Sequence, residues 1–131
     1  RRDRTWARSA PRPKTMVLMF QMGGLGPMLG QLGFFYKFAG SEWGDQRPQD
    51  RYINEAKRLL GVLEGELSDK DWITGPYSIA DIAIAPWLRA LDFYGAKEAV
   101  GWDNHKNLVA YLDRFLERPA VQTGLVTPPR D

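Results

Sequence analysis

Few side chains in this sequence have the type and spacing to do chemistry, and Arg51 comes first among them. It stands between Asp50 and Tyr52 at the opening of a helical pattern, close in sequence to a glycine-faced helix. A guanidinium there can pair with a ligand carboxylate through two parallel hydrogen bonds. Spacing alone also allows an ordinary surface arginine. His105 lies among Asn104, Lys106 and Asn107 near a helix start, where an exposed or capping role is expected ahead of a general base. The chain has no cysteine and one histidine, which excludes disulfides, thiolate catalysis and cysteine or histidine-cluster metal centres within it. No metal is therefore expected. The glycine run from Gly23 to Gly33 lacks the lysine and the preceding strand of a phosphate loop. Asp81 is the one acid expected to be buried, and helix capping accounts for it.

The elements that must position these residues read as helices. In YSIADIAIAPW, residues 77–87, Ser78 is placed as N-cap and Asp81 as its reciprocal partner in a capping box, with Tyr77 and Ile82 spaced for a hydrophobic staple. The residues behind the box are apolar almost all round until Arg89, so this helix is expected in the middle of a bundle, bent at Pro86. From Thr15 to Ala39 a helical pattern is interrupted by glycines. At about 100° per residue, Gly23, Gly26, Pro27, Gly30 and Gly33 fall in one sector, so one face is nearly bare backbone. That face asks for the close approach of a helix, a strand or a ligand. A loop at Gly26-Pro27 between two shorter helices is the other reading.

Gly40 to Asp50 reads as a polar connection. Tyr52, Ala56, Leu59, Leu60, Leu63 and Leu67 then mark an amphipathic helix, with Glu55, Lys57, Arg58, Glu64 and Glu66 taken as solvated charge. Trp72 and Ile73, in the turn region after it, are expected to tuck back into the core. After a connection over 92–103, Leu108, Tyr111, Leu112 and Phe115 mark another buried stripe, with Asp103 or Asn104 as cap. Pro119 is placed to open a short terminal helix. No alternating strand pattern appears, and the expected fold is an all-α helical bundle over residues 15–131.

Residues 1–14 hold six basic groups against Asp3, a net charge of +5, while the remainder carries 12 basic and 15 acidic groups, a net charge of −3. The folded part is therefore not a basic nucleic-acid surface, and 1–14 reads as a basic irregular tail. No apolar run reaches the roughly 20 residues needed to cross a bilayer and no signal peptide is evident, so neither a membrane nor a nucleic-acid partner is expected and the cytoplasm is the default compartment. A start at Arg1 rather than Met fits a fragment or a processed product.

Four segments together carry a family resemblance. The capped YSIADIAIAPW, its lead-in WITGPYSIAD and the FLERPAV of residues 115–121 resemble the C-terminal helical domain of a glutathione transferase. FQMGGLGPMLGQ, residues 20–31, is similar to the bacterial Nu class, whose members reduce disulfides with glutathione. The resemblance spans Val17 to Leu125. It implies that Ser78 and Asp81 are the structural capping pair, that Arg51 contacts glutathione, and that Met22, Met28 and Gln31 lie on the helix lining the active-site cleft and the dimer contact. It further implies glutathione as co-substrate, a small electrophile or disulfide as second substrate, and a homodimer. Family members also carry an N-terminal thioredoxin-like domain with the catalytic residue and most glutathione contacts, and no such domain is recognised in this sequence. Little or no transferase activity is thus expected of this chain alone. A stand-alone helical interaction module without catalysis is the alternative.

Overall fold

The computed structural model describes residues 14–129, and every regular element among them is helical, as expected for an all-α domain. The basic segment 1–14 lies outside the described residues except for Lys14, which opens the first helix. Helix α1 (Lys14–Phe20) passes through a π-helical turn (Gln21–Leu25) into α2 (Gly26–Tyr36). The cause of the π turn is Pro27, which has no N–H and whose ring crowds the carbonyl four residues earlier. The ladder widens just ahead of it, so that the Gly26 N–H bonds to the Gln21 carbonyl, a five-residue step. Leu25 and Gly26 keep right-handed helical dihedrals. Gly26-Pro27 is therefore helix, and the loop reading of this segment does not apply.

A 3-10 turn (Ala39–Glu42) leads to α3 (Arg47–Glu66), which starts before Asp50 with Pro48 in its first turn. Its stripe of Ala56, Leu59, Leu60 and Leu63 is buried as its spacing predicts. Helix α4 (Ile79–Tyr94) ends at Gly95, which takes the left-handed conformation with φ 72°. A 3-10 turn (Trp102–Asn104), α5 (Lys106–Leu116) and α6 (Pro119–Leu125) complete the order. The core lies between α2, α3, α4 and α5, where Leu29, Leu60, Leu88 and Leu108 are fully buried.

Three expectations are corrected. Helix α4 is not enclosed: Ile79 is 59% exposed, Ile82 51% and Phe93 60%. The staple is also redirected, because Tyr77 packs on Trp72 with ring centroids 4.9 Å apart while Ile82 faces outward. Neither Asp103 nor Asn104 caps α5. His105 takes the N-cap position without a side-chain capping bond, its ring Nδ1 lying 3.0 Å from the Gly101 carbonyl instead, and the cap comes from another helix. The Glu64 carboxylate of α3 accepts from the N–H groups of Asn107 at 3.0 Å and Leu108 at 2.9 Å. A helix start leaves such donors unpaired and carries partial positive charge, so a carboxylate from a neighbouring helix satisfies both.

Candidate functional site

Asp81 is fully buried and is the best-connected polar group of the domain. Its carboxylate accepts from Ser78 N–H at 2.8 Å, Ile73 N–H at 3.0 Å and the Tyr111 hydroxyl at 3.0 Å. The Ser78 hydroxyl in turn accepts from Ala80 N–H at 3.2 Å, which completes the capping box. Burial, and then the neighbouring Asp81 charge, pushes the Tyr111 phenol far above its ordinary value. With every contact of Asp81 internal, this hub joins the 68–76 loop, α4 and α5, and presents nothing to a ligand. Trp72 and Ile73 do tuck in, and Arg118 adds a lid. Its guanidinium lies 3.6 Å over the Tyr77 ring centroid, and its Nε is buried without a hydrogen-bond partner among the described residues.

The glycine face is filled by a helix only in part: Gly26, Gly30 and Gly33 meet α4, whereas Gly23 and Pro27 are exposed and a methyl group at Gly23 would meet nothing within 4 Å. Trp87 and Tyr94 of α4 stand two turns apart and lie against α2. A methyl group added at Gly26 would come within 3.1 Å of Trp87, and one at Gly33 within 2.5 Å of the Tyr94 ring. Beside them Gln21 is buried, a polar residue the sequence pattern did not single out. Gly26, Gly30 and Gly33 are thus the seat of α4's aromatics, and no ligand is needed to explain those three.

Arg51 faces a different side of α2. Together with Met28, Asn54, Glu55 and Arg58 it lines a groove of about 620 Å³ between α2 and α3. That is within the range of small-molecule sites, roughly 300–1,000 Å³. The two cations differ in availability. Arg58 is clasped by Glu55 through a two-point pair, at 2.9 Å and 2.7 Å, which holds the Glu55 carboxyl below its ordinary range. Arg51 is exposed and forms no hydrogen bond or ion pair among the described residues. Of the residues named from sequence, the structure brings together Arg51 and Met28. Gln31 and Met22 are exposed on the α1–α2 rod and do not line that groove. Among the described residues no group of three or more His, Cys, Asp or Glu is placed to hold a metal ion.

A second hollow, apolar and about 400 Å³, opens between α1 and the end of α3, where Met16, Met19, Phe20 and Val62 meet. Met16, Met19 and Met22 are 56–66% exposed along one stripe.

Comparison with known proteins decides the family. The family described as glutathione S-transferase, C-terminal domain, matches residues 27–119. The chain belongs to this family. The disulfide-bond oxidoreductase YfcG of Escherichia coli is 44% identical to this glutathione S-transferase domain over 116 residues, 83% of the chain and 48% of YfcG. YghU of the same organism, also a disulfide-bond oxidoreductase, is 34% identical over 122 residues, 89% of the chain and 42% of YghU. A glutathione transferase from Pseudomonas putida, crystallised with one glutathione disulfide per subunit, superposes with a TM-score of 0.86 at 56% identity, covering 88% of the chain and 50% of that protein. One from Burkholderia graminis, with two glutathione molecules per subunit, gives 0.87 at 50% identity, covering 96% and 56%. The chain spans about half the length of the curated relatives it matches.

Proposed function

We propose that this domain is the helical half of a glutathione-dependent enzyme of the disulfide-reducing Nu type, acting on a small disulfide or electrophile in the cytoplasm as a homodimer. The observation that carries this reading is Arg51: an exposed guanidinium, 6.0 Å from the Tyr52 ring centroid, that forms no hydrogen bond or ion pair among the described residues, on the wall of a groove of ligand size, in a chain of this family. Its task is to bind a glutathione carboxylate. The Asn54 amide, one turn further along α3, can donate to the same group. Met28 supplies a soft apolar wall opposite them. Met22 and Gln31 are proposed further along the same rod as part of the cleft or of the contact between copies. The apolar stripe of Met16 and Met19 supports a second copy on that side, and no helix among the described residues is long and apolar enough to cross a membrane.

These residues bind and orient, and none of them activates a thiol, which is assigned to a thioredoxin-like partner domain. The purified chain is accordingly expected to show little or no turnover with glutathione and 2-hydroxyethyl disulfide, and robust turnover would overturn the division of labour. Titration calorimetry with glutathione tests the binding role. Arg51→Ala removes a charge-assisted bond worth about 1.5–3 kcal/mol, so affinity should fall about tenfold or more. Equal affinity of wild type and variant would remove Arg51 from the site.

A further inference from the structure

We propose that residues 1–13, the segment leading into α1, fold back so that Trp6 fills the apolar hollow between α1 and the end of α3, and that a second copy must displace it to use that face. Occupancy by Trp6 stands on the hollow and on the sequence. The competition rests on the reading above, in which a second copy sits on the α1 stripe.

The hollow, about 400 Å³, has a floor of buried Val17, Leu63 and Ile73 and a rim of exposed Met16, Met19 and Val62. Covering it removes apolar surface from water on both sides of the contact. Methionine side chains adapt their shape to a flat ring and make favourable sulfur–aromatic contacts at its edge. Glu66 is the one charged residue of the lining, and its carboxylate pairs with Lys70 at 3.3 Å. A carboxylate has room for more than one cationic donor.

Reach, residue type and charge choose the occupant. The segment enters α1 at Lys14, two residues before Met16. From Met16 to Phe20 the helix rises only about 6 Å, whereas the eight residues from Trp6 to Pro13 span up to about 26 Å when extended. The indole therefore reaches the hollow easily. Trp6 is also the one large apolar side chain among residues 1–13. Arg4 and Arg8 stand two residues to either side of it, in a segment holding five arginines against Asp3, while residues 14–131 carry 13 basic against 15 acidic groups, a net charge of −2. With the indole seated, these flanking guanidinium groups come within range of Glu66. A second copy is the scarcer competitor: a tethered group is present at about millimolar effective concentration, about a thousandfold above a chain at micromolar concentration.

Methionine oxidation by dilute hydrogen peroxide, read residue by residue by peptide mass spectrometry, tests the contact in the 131-residue chain. Met22 serves as internal reference, since it is exposed and does not line the hollow. Met16 and Met19 should oxidise at least about threefold faster in Trp6→Ala, and in a variant lacking residues 1–13, than in wild type, with Met22 unchanged. Trp6→Phe should keep most of the protection. Equal rates at Met16 and Met19 in wild type and both variants overturn the inference. So does protection that is lost on dilution in wild type and both variants alike, since that gives the hollow to a second copy. Sedimentation velocity reads the competition: the variant lacking residues 1–13 should show a larger share of dimer than wild type. If that variant stays monomeric while its Met16 and Met19 lose protection, occupancy by Trp6 stands and the failure is that of the homodimer reading.

Discussion

At the scale of single residues, Asp81 and Tyr111 show how a buried charge is made tolerable. Three donors converge on one carboxylate, and removing any of them leaves part of it unpaired in the core. Tyr111→Phe is expected to cost about 2 kcal/mol by urea denaturation at pH 7. The raised pKa of the Tyr111 phenol adds a pH signature. Its contribution is complete below the unfolded-state value of about 10 and is lost as pH climbs from there towards the folded-state value. Wild type should therefore lose stability between pH 8 and about pH 10.5 more steeply than Tyr111→Phe, measured by urea midpoints at both. Asp81 was legible in the sequence because Ser-x-x-Asp ahead of an apolar run is a helix start. Tyr111 left a fainter trace. A tyrosine in an otherwise hydrocarbon stripe needs a partner for its hydroxyl, but nothing in the local spacing names an acid thirty residues away.

At the scale of elements, the glycine-faced rod and α3 give opposite predictions for the same substitution. Gly33→Ala adds a methyl group against Tyr94, and overpacking of this kind costs about 1–3 kcal/mol even though alanine favours helix. Gly61→Ala in α3 meets nothing within 4 Å and should stabilise by up to about 1 kcal/mol. Thermal melts of the two variants, moving in opposite directions, check the contrast. Glu64→Ala should cost about 1–2 kcal/mol by the same measurement, since it strips the borrowed cap from α5. The bare sector of α2 could be read from glycine spacing alone, yet its occupant could not. That depends on how α4 is set against α2, which places Trp87 and Tyr94 over the gaps. Glu64 was misread for a similar reason. A charge on the polar side of an amphipathic helix looks solvated until another helix end is placed over it.

At the scale of the whole molecule, the domain has a closed interior and an unfinished exterior. The hub at Asp81 and the aromatics against Gly26 and Gly33 are satisfied within the chain, whereas among the described residues Arg51 and Arg89 form no hydrogen bond or ion pair and apolar residues of α1 and α4 stay exposed. Sequence pattern exposed the first class well, because burial leaves periodicity. It overstated the burial of α4, because periodicity marks apolar residues without showing which of them the rest of the fold covers. The π turn in the rod has a consequence of its own. A π turn holds one residue more than an α-helix needs to cover the same turn. Deleting Gly23 together with Pro27→Ala should restore plain α-helix, leave α2 seated on Trp87, and rotate everything before it by about 100°. Met16 and Met19 would swing away from Val62, erasing the α1–α3 hollow, and Val17, the residue α1 buries, would leave the core with them. One codon removed and one changed thus separate two versions of this domain that keep α2 on Trp87 and differ in which side of α1 is buried and which is offered.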